Sequence, residues 1–323
     1  MKIALTWDYE MFFGEKSGTV QQCMIQPTND LLQIAAANQA KFTFFPDAGY
    51  LVQAKKFEQA TADLNLVKAQ IKSWDNSGHE TGLHIHPHWE DVHYENDAWT
   101  HDIKRYKLSD FQAEDIASIM TTYFNEVKQV IEKPIQTFRA GGWCIQPFHN
   151  LRDAFIQLGI LVDSSVFYGG KNTVAPYHYD FLNAPNAAVW RFDKDVLIEN
   201  NKGDFYELPI TSRRYSPLFF WRLFLLGRWD PKRHKPIGNG FPAAGGGSKI
   251  DLLMKKNIFC LSADGYFISQ LESALKVARK EKAPHLVVIG HPKACTLYSL
   301  DKLAMFMAKH KQDVEFVSLS QLV

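Results

Sequence analysis

Gly78-His79-Glu80-Thr81-Gly82-Leu83-His84-Ile85-His86-Pro87-His88 is the stretch on which the reading of this chain turns. Residues 60–76 before it repeat apolar positions at helical spacing, and Gly78 supplies the stop. Residues 80–86 then read as a strand, which Pro87 ends because it has no N–H for a ladder. Helix, tight stop and strand form the repeating unit of a parallel sheet covered by helices.

The unit recurs on both sides. Upstream, residues 2–8 are an apolar strand, and Pro27-Thr28-Asn29 opens a helix over 29–39. Lys41-Phe42-Thr43-Phe44-Phe45 is a second strand, stopped by Pro46. Downstream, Ser109-Asp110 can cap a long amphipathic helix over 111–132. Further strands fit 136–139, 160–163, 205–209, 286–290 and 314–319, with helices at 151–158, 265–279 and 300–309. With seven or eight strands, closure into an α/β barrel is favoured over an open sheet. Residues 168–249 break the rhythm with prolines, glycines and aromatics, including Gly238-Asn239-Gly240 and Gly245-Gly246-Gly247-Ser248. They are expected to be a loop-rich insertion around one strand, within a single domain spanning 1–323.

Composition narrows the function. The 323 residues carry 36 Lys and Arg against 35 Asp and Glu, and 46% are hydrophobic. That balance excludes a disordered chain, and the absent basic excess argues against a nucleic-acid partner. No apolar run is long enough to span a bilayer. Cys23, Cys144, Cys260 and Cys295 are far apart, as in a reduced compartment, and Met1-Lys2 enters the first strand without an apolar leader. A cytoplasmic location is therefore expected.

In such barrels the reacting groups gather where strands end. The predicted strands end in Asp8-Tyr9-Glu10, in the histidine cluster, in Arg139, in Asp163 and in His291. Three of the twelve histidines lie within residues 84–88. His84 and His88 can converge on one divalent ion if the chain turns at Pro87, and neutral imidazole is a common zinc ligand. His86 is a third ligand, a neighbour that steadies a ligand, or a substrate contact. Asp8 and Glu10 are two apart and share a strand face, so one can bind the ion while the other takes a proton from water. Arg139 can keep a nearby carboxylate ionised, His291 can donate a proton, and Asp163 can orient a histidine or bond to backbone. The blander readings are a solvated strand end, a surface arginine and a packed histidine.

In this order the residues resemble the polysaccharide deacetylase family, the NodB-homology carbohydrate esterases. Thr6-Trp7-Asp8 is similar to the opening of the family's Thr-Phe-Asp-Asp motif. Gly78-His79-Glu80-Thr81-Gly82-Leu83-His84, with His88 four residues on, resembles its Gly-His-Glu-Ile-Gly…His-x-x-x-His motif. Phe138-Arg139, Val162-Asp163 and Gly290-His291 resemble its third, fourth and last motifs, and Thr43-Phe44-Phe45 its second strand. The resemblance implies a distorted barrel of seven or eight β/α units, one divalent ion, usually zinc, and hydrolysis of an acetamido group on an amino sugar. It implies Asp8 as general base, His84 and His88 as ligands, Arg139 as support for Asp8 and His291 as general acid. The family's second aspartate falls at Tyr9, which leaves Glu10 as the substitute ligand.

Trp89, Trp143 and Tyr168 are aromatic candidates for stacking on a sugar ring. Two other functions remain open: an amide or imide hydrolase acting on a small nitrogen compound, and a non-catalytic glycan-binding descendant, suggested by Tyr9. Residues 218–226, Leu-Phe-Phe-Trp-Arg-Leu-Phe-Leu-Leu, are apolar on every helical face except at Arg222. They read as a core helix or dimer contact, or as a peripheral contact with the inner membrane face that admits a lipid-linked sugar of a surface-polysaccharide pathway.

Overall fold

The computed structural model describes residues 1–243 and 249–323, so Gly245-Gly246-Gly247-Ser248 lies outside the described residues. In chain order, β1 (Lys2–Tyr9) leads through α1 (Gln26–Ala37) to β2 (Thr43–Pro46), and α2 (Ala48–Ala54) and α3 (Thr61–Asn76) precede β3 (Glu80–Thr81) and β4 (Leu83–Ile85). A hairpin of β5 (Val92–Glu95) and β6 (Ala98–His101) and then α4 (Ala113–Lys128) lead to β7 (Thr137–Ala140), α5 (Arg152–Leu158) and β8 (Val162–Asp163). β9 (Lys171–Asn172) pairs with β10 (Tyr179–Asp180), and β11 (Trp190–Phe192), β12 (Phe205–Glu207) and β13 (Ser212–Tyr215) follow. Next come α6 (Pro217–Trp229), α7 (Pro231–His234), α8 (Lys249–Met254), β14 (Asn257–Cys260) and α9 (Leu271–Lys280). β15 (His285–Gly290), α10 (Leu297–His310) and β16 (Glu315–Val317) complete the order.

One parallel sheet runs β15-β1-β2-β3, with β16 also on β1; a second runs β11-β12-β8-β7-β4, parallel except for β11. A parallel bridge between Asp47 and His84 joins the two on one side. On the other side, the Thr211 N–H donates to the Val287 carbonyl at 3.0 Å, and Ser262 bridges to Ile289. The result is the distorted α/β barrel expected from the strand–helix alternation.

The predicted strand over 80–86 is two strands, one in each sheet. The break is at Gly82, where a Cβ would lie 2.3 Å from the Phe45 ring, so the chain can cross this corner only without a side chain. Gly78 ends α3 with φ of 87°, the left-handed stop its sequence position implied. Residues 168–249 hold more than loops around one strand: β9 to β13, α6 and α7 lie within them. The helical period was masked in α6 because both its buried and its exposed faces are apolar, while Ser216 caps it through the Phe219 N–H and Pro217 opens it. The predicted helix over 265–279 begins as a 3₁₀ segment at Gly265–Gln270 before α9.

Strand parity on β1 positions the chemistry. Ile3, Leu5, Trp7 and Tyr9 join the large core beneath the helices, while Ala4 packs inside the barrel with Phe45, Val162, Leu208 and Val287. Thr6 and Asp8 share the inward parity of Ala4. Tyr9 therefore points into the helix layer, where its hydroxyl donates to Gln70 at 2.8 Å and its ring meets Trp74 edge-on.

Candidate metal and catalytic site

The carboxyl ends of β1, β4, β7 and β15 meet over the barrel interior. Register pairs His84 with Arg139 and Trp7 with Gly290, which brings Asp8, Glu10, His84, Arg139 and His291 to one mouth. Arg139 is fully buried, and its guanidinium is held on every edge. Nη1 donates to Asp8 Oδ1 at 2.8 Å and to Thr6 Oγ1 at 2.9 Å, and Nε and Nη2 donate to the Ser164 carbonyl and hydroxyl. Its plane also lies over the Phe45 ring, 4.5 Å from the centroid. A buried cation needs this degree of satisfaction, and it leaves Asp8 Oδ2 turned toward the cavity.

Glu10 is the hub of a buried cluster. Its Oε2 lies 3.1 Å from His84 Nε2 and 2.7 Å from His86 Nε2. His84 Nδ1 sits 2.8 Å from the Arg139 carbonyl, which can only accept, so Nδ1 bears the proton. In the neutral ring, Nε2 then presents a lone pair to a carboxylate oxygen. Two acceptors at that distance require a proton or a cation between them. Burial works against the charged ring, but Asp8 and Glu10 outweigh it and push the His84 pKa up to about 9. A divalent ion would satisfy the same electrostatics, and ligand atoms of Glu10, His84 and His86 all lie within 4.8 Å of one another. Two imidazoles and a carboxylate are a donor set that zinc accepts, with one ring nitrogen pinned by a carbonyl as in many metal sites.

The structure groups His86 with Glu10 and His84, whereas the sequence spacing paired His84 with His88. His88 is fully buried and stacks on Tyr106 at 5.2 Å, edge-on to Phe13, with both ring nitrogens unpartnered. The turn expected at Pro87 is a 3₁₀ segment, Pro87–Asp91, and it carries His88 away from Glu10 into the aromatic layer.

His291 enters from the end of β15. Its Nδ1 lies 2.8 Å from Asp264 Oδ2, and its Nε2 faces Asp8 Oδ2 at 3.7 Å and Glu10 Oε1 at 3.9 Å. Burial opposes its charged form, but Asp264 first and then Asp8 and Glu10 raise its pKa. Asp264 was missed because residues 257–261 were not read as a strand; once β14 is recognised, it is one more strand-end carboxylate. Lys293 was missed as well. Its ammonium donates to Glu10 Oε1 at 2.8 Å and to the Met11 carbonyl at 2.6 Å, over the Phe12 and Phe13 rings. Burial pushes the Glu10 pKa up, but Lys293 and His86 overcome it and hold the carboxyl well below its usual range.

Asp163 touches no histidine. Its two oxygens accept from the Ser165 hydroxyl and N–H, at 2.7 and 3.2 Å. Ser165 in turn accepts from the Ala140 N–H, beside the Arg139 that Ser164 holds. Asp163 thus braces the loop under Arg139. Glu207 sits against it, fully buried, and burial followed by the Asp163 charge raises the Glu207 pKa well above the usual range.

Around these groups lies a cavity of about 350 Å³. Phe12, Phe13, Tyr106, Trp143, Tyr177 and Tyr179 supply its aromatic walls. Trp143 and His86 are among the residues that line it. Trp89 does not: it is fully buried, and its indole N–H donates to Asp47. Its bulk fills the space beside Gly49, which makes it a brace of the barrel corner. Tyr168 faces a separate groove.

No family profile matches the chain, and no curated protein matches it. Solved structures do. A Mycobacterium smegmatis protein assigned as a polysaccharide deacetylase is 15% identical and superposes with a TM-score of 0.53, over 99% of this chain and 88% of that one. The Bc1960 peptidoglycan N-acetylglucosamine deacetylase is 13% identical, with a TM-score of 0.45 over 99% and 87% of the two chains. BA3943 from Bacillus anthracis, a CE4 family pseudoenzyme, is 10% identical, with a TM-score of 0.42 over 99% and 64%. By fold, this chain is a distorted α/β barrel of the polysaccharide deacetylase type.

Proposed function

We propose that this protein is a metal-dependent amide hydrolase that removes an N-acetyl or similar acyl group from an amino sugar. The observation that carries the reading is the opposed pair at the cavity floor: Asp8, held by Arg139, and His291, held by Asp264, 3.7 Å apart beside the Glu10–His84–His86 cluster. Glu10, His84 and His86 would hold the ion, for which zinc is the proposed identity; when bound, it would polarise the acyl carbonyl and acidify water.

The protein's own groups then divide the proton work. Arg139 occupies Asp8 Oδ1 and leaves Oδ2 free to accept a proton from the attacking water. Asp264 fixes the proton on His291 Nδ1 and favours the imidazolium, so that Nε2 can donate to the departing nitrogen. An amide leaves poorly without that proton. The aromatic walls can stack on one sugar ring and exclude water from the floor.

The size of the cavity favours a second reading. At about 350 Å³ it suits a single ring better than an extended polymer, so a small cyclic amide or imide is the competing substrate class. Zinc-loaded protein should be incubated with N-acetylated monosaccharides, sugar nucleotides and oligosaccharides, and released acetate measured. Acetate that appears with wild type and disappears with Asp8→Asn supports the deacetylase. Turnover of small cyclic amides alone moves the assignment to the second reading.

A further inference from the structure

We infer that α6 and α8 form a docking surface for anionic membranes. Phe219, Phe220, Leu223 and Phe224 of α6 turn inward, packing with Tyr215, Leu252, Leu253, Phe259, Tyr266 and Phe267. The outward face repeats at three- and four-residue spacing as Leu218, Trp221, Leu225 and Trp229. Leu218 is 57% exposed, Trp221 49% and Trp229 76%. On α8, Ile250 and Met254 are likewise exposed. Two tryptophans and three other large apolar side chains are thus open on this packed helix pair, which a soluble surface seldom leaves uncovered.

Charge identifies the occupant. Residues 213–256 hold ten of the chain's 36 Lys and Arg but only two of its 35 Asp and Glu, so the remainder of the chain is net negative. Arg222 and Arg228 share the outward face with the tryptophans, and Lys232 and Lys235 follow on α7 and just beyond it. Among the described residues, these four have no acidic partner. A twofold contact between copies of the chain would set these cations against their own equivalents. Phospholipid headgroups offer the opposite charge, and tryptophan and arginine beside an apolar stripe suit the headgroup boundary. No helix among the described residues is long and apolar enough to cross a membrane, so the contact lies in the interface plane.

The surface is joined to the cavity in two places. Tyr266 and Phe267, packed under α6, lie two and three residues after Asp264. Beyond α7 the chain reaches Pro242 and Ala243, which line the cavity.

Cosedimentation of the full chain with vesicles tests this without any substrate, so its outcome is independent of the hydrolase assignment. In low salt, wild type should partition at least tenfold more onto vesicles of 30% phosphatidylglycerol in phosphatidylcholine than onto phosphatidylcholine alone. Trp221→Glu with Trp229→Glu should lower that partition tenfold or more with unchanged thermal unfolding, and Arg222→Ala with Arg228→Ala should weaken it in a salt-dependent way. No binding by wild type, or undiminished binding by the tryptophan variant, overturns the inference. A dimer in sedimentation velocity that the tryptophan variant dissolves also overturns it, in favour of a second copy.

Discussion

His291 Nδ1 lies 2.8 Å from Asp264 Oδ2, a contact between residues 27 apart in sequence that fixes which face of the imidazole looks into the cavity. The His291 backbone N–H also donates to Asp264 Oδ1, at 2.7 Å. One carboxylate therefore sets both the position of the loop and the tautomer of the ring.

This pairing predicts a specific pH profile. With the His291 pKa raised chiefly by Asp264, the alkaline limb of kcat/KM should lie above the ordinary histidine range. Asp264→Asn removes the charge, so the limb should move toward neutral pH, with a rate loss of about 10²-fold or more. An unchanged limb in that variant assigns the proton donor elsewhere.

The ligand set is the second point. His84→Ala, His86→Ala and Glu10→Gln should each lower bound metal in elemental analysis of purified protein, whereas His88→Ala should retain it. Loss of metal in the His88 variant with retention in the His86 variant would restore the ligand pair read from sequence spacing.

Arg139 should be costly to remove. It is fully buried and makes four hydrogen bonds beyond backbone pairing. Arg139→Met leaves Asp8 as an uncompensated buried charge, for which about 3–5 kcal/mol of lost stability is expected in denaturant unfolding. Hydrolysis should be lost with it, since Asp8 Oδ1 loses the guanidinium that holds the carboxylate in place.

The Asp163–Glu207 pair makes stability depend on pH. Both Asp163 oxygens are occupied by Ser165, while Glu207 Oε2 has no donor, so Glu207 holds the proton of the pair. A carboxyl whose pKa is raised by folding keeps its proton where the unfolded chain loses it, above about 4.3. Stability from this group is therefore present at acid pH and falls as pH rises toward the folded pKa. Glu207→Gln should flatten that fall, seen as a smaller drop in Tm between pH 5 and pH 9 than in wild type.

Much of this architecture follows from local pattern. Strand-and-helix alternation depends on the period of apolar residues and on stops such as Gly78 and Pro46, which act within a few residues. The shared face of Asp8 and Glu10 follows from the two-residue period of β1, and the same parity sends Tyr9 into the helix layer beside Gln70. The gathering of Asp8, His84, Arg139 and His291 at one mouth follows from parallel strands that all end on the same side.

Other features depend on contacts made across the fold. Whether His86 or His88 meets Glu10 depends on the 3₁₀ turn at Pro87 and on the Phe13 and Tyr106 rings that enclose His88, and no spacing rule contains those rings. Trp89 is a brace because Asp47, on another strand end, accepts its N–H. Asp264 and Lys293 reach the site only because β14 and the turn after β15 are folded over it. The identity of strand-end residues is a local property, legible in the chain. Their partners are set by side chains from distant segments competing for one small volume, and that competition is resolved only when the barrel closes.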